Sequence, residues 1–295
     1  MIRSFCQKID FPAEAIECME NAYTILKSNA AAMEWAQTCI NAVTENRVEN
    51  LVDMLEKLAQ ITGLHRYESD MLFWVLCAQP LKARYAENHL TEEMYWDAMR
   101  DLKYKLMEGY RFCGIWGSIT PASWFAYFHT LKRLAFGRLQ YDRWEWPYAP
   151  YKGKIQPGDN VYRIHIPAAG PLTKESVLDS FRKLYAFCRK DYPDGVMPIA
   201  CRSWLLYPAH VSQFGENSNT ATFAGMFDLL ETQEDPNFSS FRWMFNLKYE
   251  GPETLQRVPT DTRFQRSAKA YFEAGNLPGT GFGVLLFDGE KILTD

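Results

Sequence analysis

The sequence predicts an α+β protein in two parts, an all-helical domain over residues 1–133 and a mixed-sheet domain over residues 134–295. Three observations carry this reading. Apolar residues recur at helical spacing as far as Arg133, with almost no strand alternation. From Leu134 the period drops to about two, in L-A-F-G-R-L-Q-Y-D-R-W-E-W. Residues 161–191 then read as a strand, a tight small-residue loop and an amphipathic helix in succession.

In the first part, Asp10 with Pro12 just inside opens a helix carrying Ile16, Met19, Ala22, Tyr23 and Leu26 on one side. A second helix covers 30–43, and a third covers 48–61 and closes at Gly63. Residues 68–78 are apolar nearly all round, which predicts a buried central helix that Pro80 kinks or ends. Thr91 caps a long amphipathic helix to about Tyr110, and Thr120-Pro121 starts another. His65, His89 and His129 share no ligand spacing and read as surface or core-edge residues.

In the second part, residues 134–146 read as a strand in which Leu139 and Tyr141 are in one phase and Trp144 and Trp146 in the other; a bulge near Asp142-Arg143 would reconcile them. The loop 147–160 leads to a strand at 161–166, so the two strands can pair antiparallel. Pro167 ends that strand, and Thr173 caps a helix with Val177, Leu178, Phe181, Leu184, Tyr185 and Cys188 on one stripe. Further on, 199–207 reads as a strand, 210–231 as helical in its second part, 241–248 as a strand and 260–274 as a helix. Gly279-Thr-Gly281-Phe-Gly283 precedes the strand 282–287 and reads as a flexible lead into an edge strand; Asp288-Gly289 signals a terminal hairpin with 291–293.

The totals exclude several function classes. A net charge of −4 argues against a nucleic-acid partner, which calls for a basic surface. The seven cysteines form no C-x-x-C pair, so no metal site is expected, and scattered free thiols fit a reducing cytosol. The N-terminus lacks a signal-peptide pattern, and the longest apolar run, 71–78, is too short to span a bilayer. A cytoplasmic protein with no membrane partner is expected. P-loop, nucleophile-elbow, H-E-x-x-H and EF-hand signatures are missing.

The stretch 161–191 is where chemistry is expected. A loop that delivers the chain onto a helix N-terminus presents backbone N–H groups in front of a positive dipole end, which suits an anion such as a pyrophosphate; an ordinary strand–helix connection has the same look. Arg163 and His165 share the strand face opposite Ile164 and Ile166, and His165 is a candidate proton acceptor where that face lines a cleft. Arg202 interrupts an apolar strand and calls for a carboxylate partner, with Asp142 and Glu145 as candidates.

Four phrases occur in order: G-R-L-Q-Y-D at 137–142, I-H-I-P-A-A-G-P-L at 164–172, C-R-S-W-L-L-Y-P at 201–208 and D-T-R-F-Q-R at 261–266. Together they resemble bacterial acyltransferase-like proteins with a helical N-terminal acyltransferase domain and a GNAT-like C-terminal domain. The resemblance covers most of the chain and implies acyl-CoA as cosubstrate, with an amine as acceptor. It also implies that the coenzyme A pyrophosphate lies on the loop after the strand, here Ile166, Pro167, Ala168, Ala169, Gly170, Leu172 and Thr173, with Lys174 opening the helix. Phosphate is expected to meet the N–H groups near Ala169, Gly170 and Lys174. The loop departs from the family's Q/R-x-x-G-x-G/A pattern, having one glycine and a Pro171 that cannot donate. The tyrosine that many GNATs use as general acid has no match; Phe223 and Phe227 occupy its region. The implied reaction is N-acyl transfer, acetyl transfer first among the possibilities. His165 or Asp142 would be the base and Ser203 a polar positioning group. The alternative is a GNAT-like coenzyme A-binding or interaction module that has lost turnover.

Overall fold

A computed structural model describes residues 2–293. The chain divides into two compact units, Met1–Ala135 and Phe136–Asp295.

The first unit is helical: α1 Ile2–Lys8, α2 Ala13–Ser28, α3 Ala30–Thr44, α4 Leu51–Thr62, α5 Arg66–Leu76, α6 Ala78–Glu87, α7 Glu92–Cys113 and α8 Ala122–His129. Its centre is α5, where Met71, Leu72, Phe73, Trp74 and Val75 are all buried, as an all-round apolar helix requires. Gly63 closes α4 in the left-handed region, and the Thr91 hydroxyl caps α7 by accepting from Met94 N–H. Pro80 ends α5 at Leu76, four residues upstream, where its ring crowds the carbonyl. It falls in the first turn of α6, where its missing N–H has no intrahelical acceptor to lose. His129 is not at a core edge: it lies buried beside the Trp74 ring, and burial pushes its pKa down to about 3. Among the described residues no helix is long and apolar enough to cross a membrane.

The sheet contains β1 Arg133–Phe136, β2 Leu139–Glu145, β3 Asn160–His165, β4 Met197–Ser203, β5 Asp228–Glu234 and β6 Gly279–Phe287, in the spatial order β1-β2-β3-β4-β6-β5. Its helices are α9 Lys174–Cys188, α10 Pro208–Val211, α11 Asn219–Ala224, α12 Phe241–Phe245 and α13 Arg263–Glu273. All strand pairs with a recorded register are antiparallel except β3 with β4, which run parallel. One sheet face packs against α9 through buried Val177, Phe181 and Leu184, with Phe181 against Phe287 and the Tyr141 hydroxyl against Ser180. The opposite face carries a second core of Trp146, Ile155, Val161, Ala200, Phe282, Val284 and Leu286, closed by the loop that joins β2 to β3.

Residues 134–146 form a hairpin, not one bent strand. Gly137 takes φ +62° at the first position of a two-residue turn, and β2 then pairs with β3 without a break from Gln140↔His165 to Glu145↔Asn160. The two phases of the stretch arise because both faces of β2 are covered, so Asp142 is as buried as Tyr141. The helical pattern ends at Ala224, and the residues expected to prolong it form edge strand β5. Residues 241–248 are not a strand. Phe241, Met244 and Phe245 have i, i+3, i+4 spacing and bury against Phe272 of α13, forming helix α12 that ends at left-handed Asn246. The glycine run at 279–283 lies inside β6, between β4 and β5. The terminal hairpin is reduced to a single bridge, Phe287↔Ile292.

Candidate active site

β3 and β4 pair only at Tyr162↔Ile199 and Arg163↔Ala200. Past that point β3 continues to His165 and β4 to Ser203 with no pairing between them, so the two parallel strands part at their C-terminal ends. In open sheets with parallel strands this is the position where ligands are held.

His165 is the last residue of β3, directly before the loop to α9. The antiparallel register sets Gln140 opposite His165 and Asp142 opposite Arg163, so Asp142 and His165 are diagonal neighbours on one face. His165 Nε2 lies 2.8 Å from Asp142 Oδ2. Arg163 grips the same carboxylate with two prongs, Nε donating to Oδ1 and Nη2 to Oδ2, each at 3.0 Å. Side-chain exposure falls from 35% at Arg163 to 17% at His165 and 5% at Asp142, so the imidazole can be reached while the carboxylate behind it is sealed.

Burial by itself would raise the Asp142 pKa. The hydrogen bonds and charges of His165 and Arg163 outweigh it and hold the carboxyl well below the usual carboxylate range. Asp142 is therefore a poor proton acceptor near neutral pH and a good anchor for a cation. Its folded pKa lies below its unfolded value, so the stability it contributes is full above about pH 4 and is lost as pH falls through the folded value. Asp142→Asn is expected to cost about 1.5–3 kcal/mol at pH 7, as for a hydrogen bond to a charged group. Urea unfolding of the two proteins should show that gap narrowing steadily below pH 4; a gap independent of pH would contradict the assignment.

Ser203 is not brought to this pair. It is next in strand alternation to Arg202, whose face carries Phe282, and its hydroxyl accepts from Leu205 N–H to cap the 3₁₀ turn Trp204–Leu206. Arg202 has the carboxylate partner its strand position called for, but the partner is Glu231 of β5 at 2.8 Å and neither Asp142 nor Glu145. The Tyr148 hydroxyl bonds both members of that pair. Neither Tyr148 nor Glu231 was signalled by the sequence, because their meeting depends on the path of the β2–β3 loop.

The loop before α9 is capped as the sequence predicts, with Thr173 Oγ1 accepting from Ser176 N–H at 3.2 Å. Gly170 takes φ +87°. Of the three N–H groups expected to meet phosphate, that of Ala169 is turned inward onto the Pro167 carbonyl at 2.8 Å. Among the described residues the N–H groups of Gly170, Leu172, Thr173 and Lys174 make no hydrogen bond within the protein.

Two family patterns divide the chain between them. An N-acyltransferase N-terminal domain matches residues 1–131 and a GNAT-like C-terminal domain matches residues 134–285. The chain belongs to the family defined by the GNAT-like C-terminal domain, which spans more than half of it, joined here to that N-terminal domain. No curated protein matches it. Among solved structures it is similar to an acyltransferase in complex with decanoyl-CoA and teicoplanin, with a TM-score of 0.75 and 17% identity over 96% of this chain and 86% of that one. An acyltransferase in complex with decanoyl-CoA gives 0.74 at 18% identity, and an acyltransferase mutant with octanoyl-CoA gives 0.74 at 16%, with the same coverage. Identities this low establish the fold alone, and that fold is GNAT-like α+β.

Proposed function

We propose that this protein moves an acyl group from an acyl-coenzyme A to an amine at the C-terminal ends of β3 and β4. The observation that carries the reading is the parting of these two strands, which sets His165 on one lip and leads straight into the loop before α9. The residues present suit the cosubstrate. The N–H groups of Gly170, Leu172, Thr173 and Lys174 stand at a helix N-terminus, where a pyrophosphate is stabilised by both donors and dipole. Ile166, Pro167, Ala168 and Ala169 form the bend that turns the chain from β3 toward that terminus.

A thioester arrives already activated, so the protein has chiefly to align a neutral amine with the carbonyl and take its proton. His165 is the base in this proposal. Asp142 is a positioning residue: it orients the imidazole and steadies the imidazolium formed when the proton is taken. Ser203, by capping the turn after β4, keeps the end of that strand in place.

The acyl group and the amine are read by experiment. The similar acyltransferase structures hold octanoyl-CoA or decanoyl-CoA, and one also holds teicoplanin, so the donor panel should run from acetyl-CoA to decanoyl-CoA against primary amines of increasing size. Amine-dependent release of free coenzyme A thiol is expected with at least one pair. Binding of coenzyme A without thiol release across the panel would favour a binding module. No binding at millimolar ligand would overturn both readings.

A further inference from the structure

We propose that Arg138 is a positioning residue that shapes the loop before α9 into a phosphate-binding surface, in place of the glycines the loop lacks; the inference rests on reading that loop as the coenzyme A cradle. Arg138 follows Gly137 in the β1–β2 turn and spans to the loop with all three guanidinium nitrogens. Nη1 donates to the Pro167 carbonyl at 2.9 Å, Nη2 to the Gly170 carbonyl at 2.7 Å and Nε to the Pro171 carbonyl at 3.3 Å. The planar fork of arginine is what lets one side chain donate to three carbonyls of one loop.

In a trans peptide the carbonyl and the next residue's N–H point in opposite directions. Turning the carbonyls of Pro167 and Pro171 onto Arg138 therefore turns the N–H groups of Ala168 and Leu172 away from it. The Gly170 carbonyl is turned the same way, and the peptide that follows it has no N–H because residue 171 is proline. The negative ends of three peptide dipoles are drawn to one side and covered by a cation, and the N–H groups of Ala168 and Leu172 are left on the opposite side, while that of Ala169 bonds the Pro167 carbonyl. A concavity of such groups binds anions. In a glycine-rich loop the absence of side chains lets the backbone adopt that shape unaided; here Pro167 and Pro171 stiffen the bend and Arg138 holds it.

The experiment compares affinity for coenzyme A with affinity for pantetheine, which has the thiol arm but no pyrophosphate, by isothermal titration of the full chain. In the unaltered protein coenzyme A should bind more tightly. Arg138→Ala and Arg138→Lys should each lower coenzyme A affinity by on the order of 10–100-fold, as expected for a site displaced by about 1 Å. Pantetheine affinity should stay unchanged in both, which also shows that the thiol-arm site remains folded. Lysine keeps the charge but cannot reach three carbonyls, so full affinity in Arg138→Lys would overturn the proposal by showing that charge alone matters. Equal losses for both ligands would overturn it by showing a general collapse. An unaltered protein that binds coenzyme A no better than pantetheine would instead refute the reading of the loop as the cradle, and the proposal with it.

Discussion

His165→Ala is expected to lower kcat by about 10²–10⁴-fold, the range for removing a general base, while affinity for coenzyme A stays close to that of the unaltered protein. The split follows from position. His165 lies at the end of β3 and the proposed pyrophosphate contacts begin five residues later at Gly170, so the proposal assigns the imidazole to the amine and not to the nucleotide. Asp142→Asn should lower kcat less, since the imidazole remains but loses its anchor and the charge that steadies its protonated form. It should also move the acid limb of the kcat/KM profile to lower pH, because removing a carboxylate beside a histidine disfavours the imidazolium. Arg163→Met should move that limb the other way, by removing a cation from the same cluster. Pre-steady-state and steady-state thiol release across pH 5–9 reads all three. A His165→Ala enzyme with unchanged kcat, in a protein that turns over, would remove His165 from the mechanism and leave the fold assignment intact.

Gly281→Ala is expected to be the most damaging single methyl addition in the sheet. A Cβ there would lie 2.4 Å from the Leu206 carbonyl oxygen and 2.6 Å from its carbonyl carbon. Backbone cannot rotate aside as a side-chain tip can, so the cost should reach the upper part of the ~1–3 kcal/mol range for overpacking, or exceed it. The neighbours explain the alternation G-T-G-F-G. Gly279 faces the Tyr207 ring and Gly283 faces Phe227 Cβ at 2.8 Å, so the three glycines carve one continuous groove in a face of β6 for the segment that follows β4. Urea unfolding should show a lower midpoint with an unchanged m-value. Because Leu206 belongs to the turn that Ser203 caps, the same substitution should disturb the end of β4 and reduce coenzyme A thioester turnover in the protein that remains folded. Stability within about 0.5 kcal/mol of the unaltered protein, the range of ordinary surface changes, would contradict the close approach.

What was legible in the sequence was what depends on local period and local caps. The 3.6-residue spacing located α2 to α5, and Gly63, Thr91 and Thr173 marked ends that cap geometry alone dictates. Strand alternation put Arg163 and His165 on one face. It could not name Asp142 as their shared partner, because that needs the β2–β3 register across a 14-residue connection, 146–159. The Glu231 partner of Arg202 was lost for a different reason: D-L-L-E-T-Q-E was absorbed into the preceding helical pattern, and an edge strand exposed on both faces lacks the alternation that would have separated it. Helix α12 was misread because F-R-W-M-F is a short apolar run that fits either period until Phe272 supplies its partner surface. Arg138 carries no sequence signal of its role, since three carbonyl acceptors some thirty residues away leave no trace in side-chain pattern.

In the proposed complex an acyl-coenzyme A lies where β3 and β4 part, with its pyrophosphate on the loop before α9. A crystal structure of the protein soaked with acetyl-CoA tests it most directly. Phosphate oxygens are expected within hydrogen-bond distance of the N–H groups of Gly170, Leu172, Thr173 or Lys174, and a thioester carbonyl between the diverging strands on the side of His165. Coenzyme A bound elsewhere on the chain, with that loop covered by other residues, would contradict it.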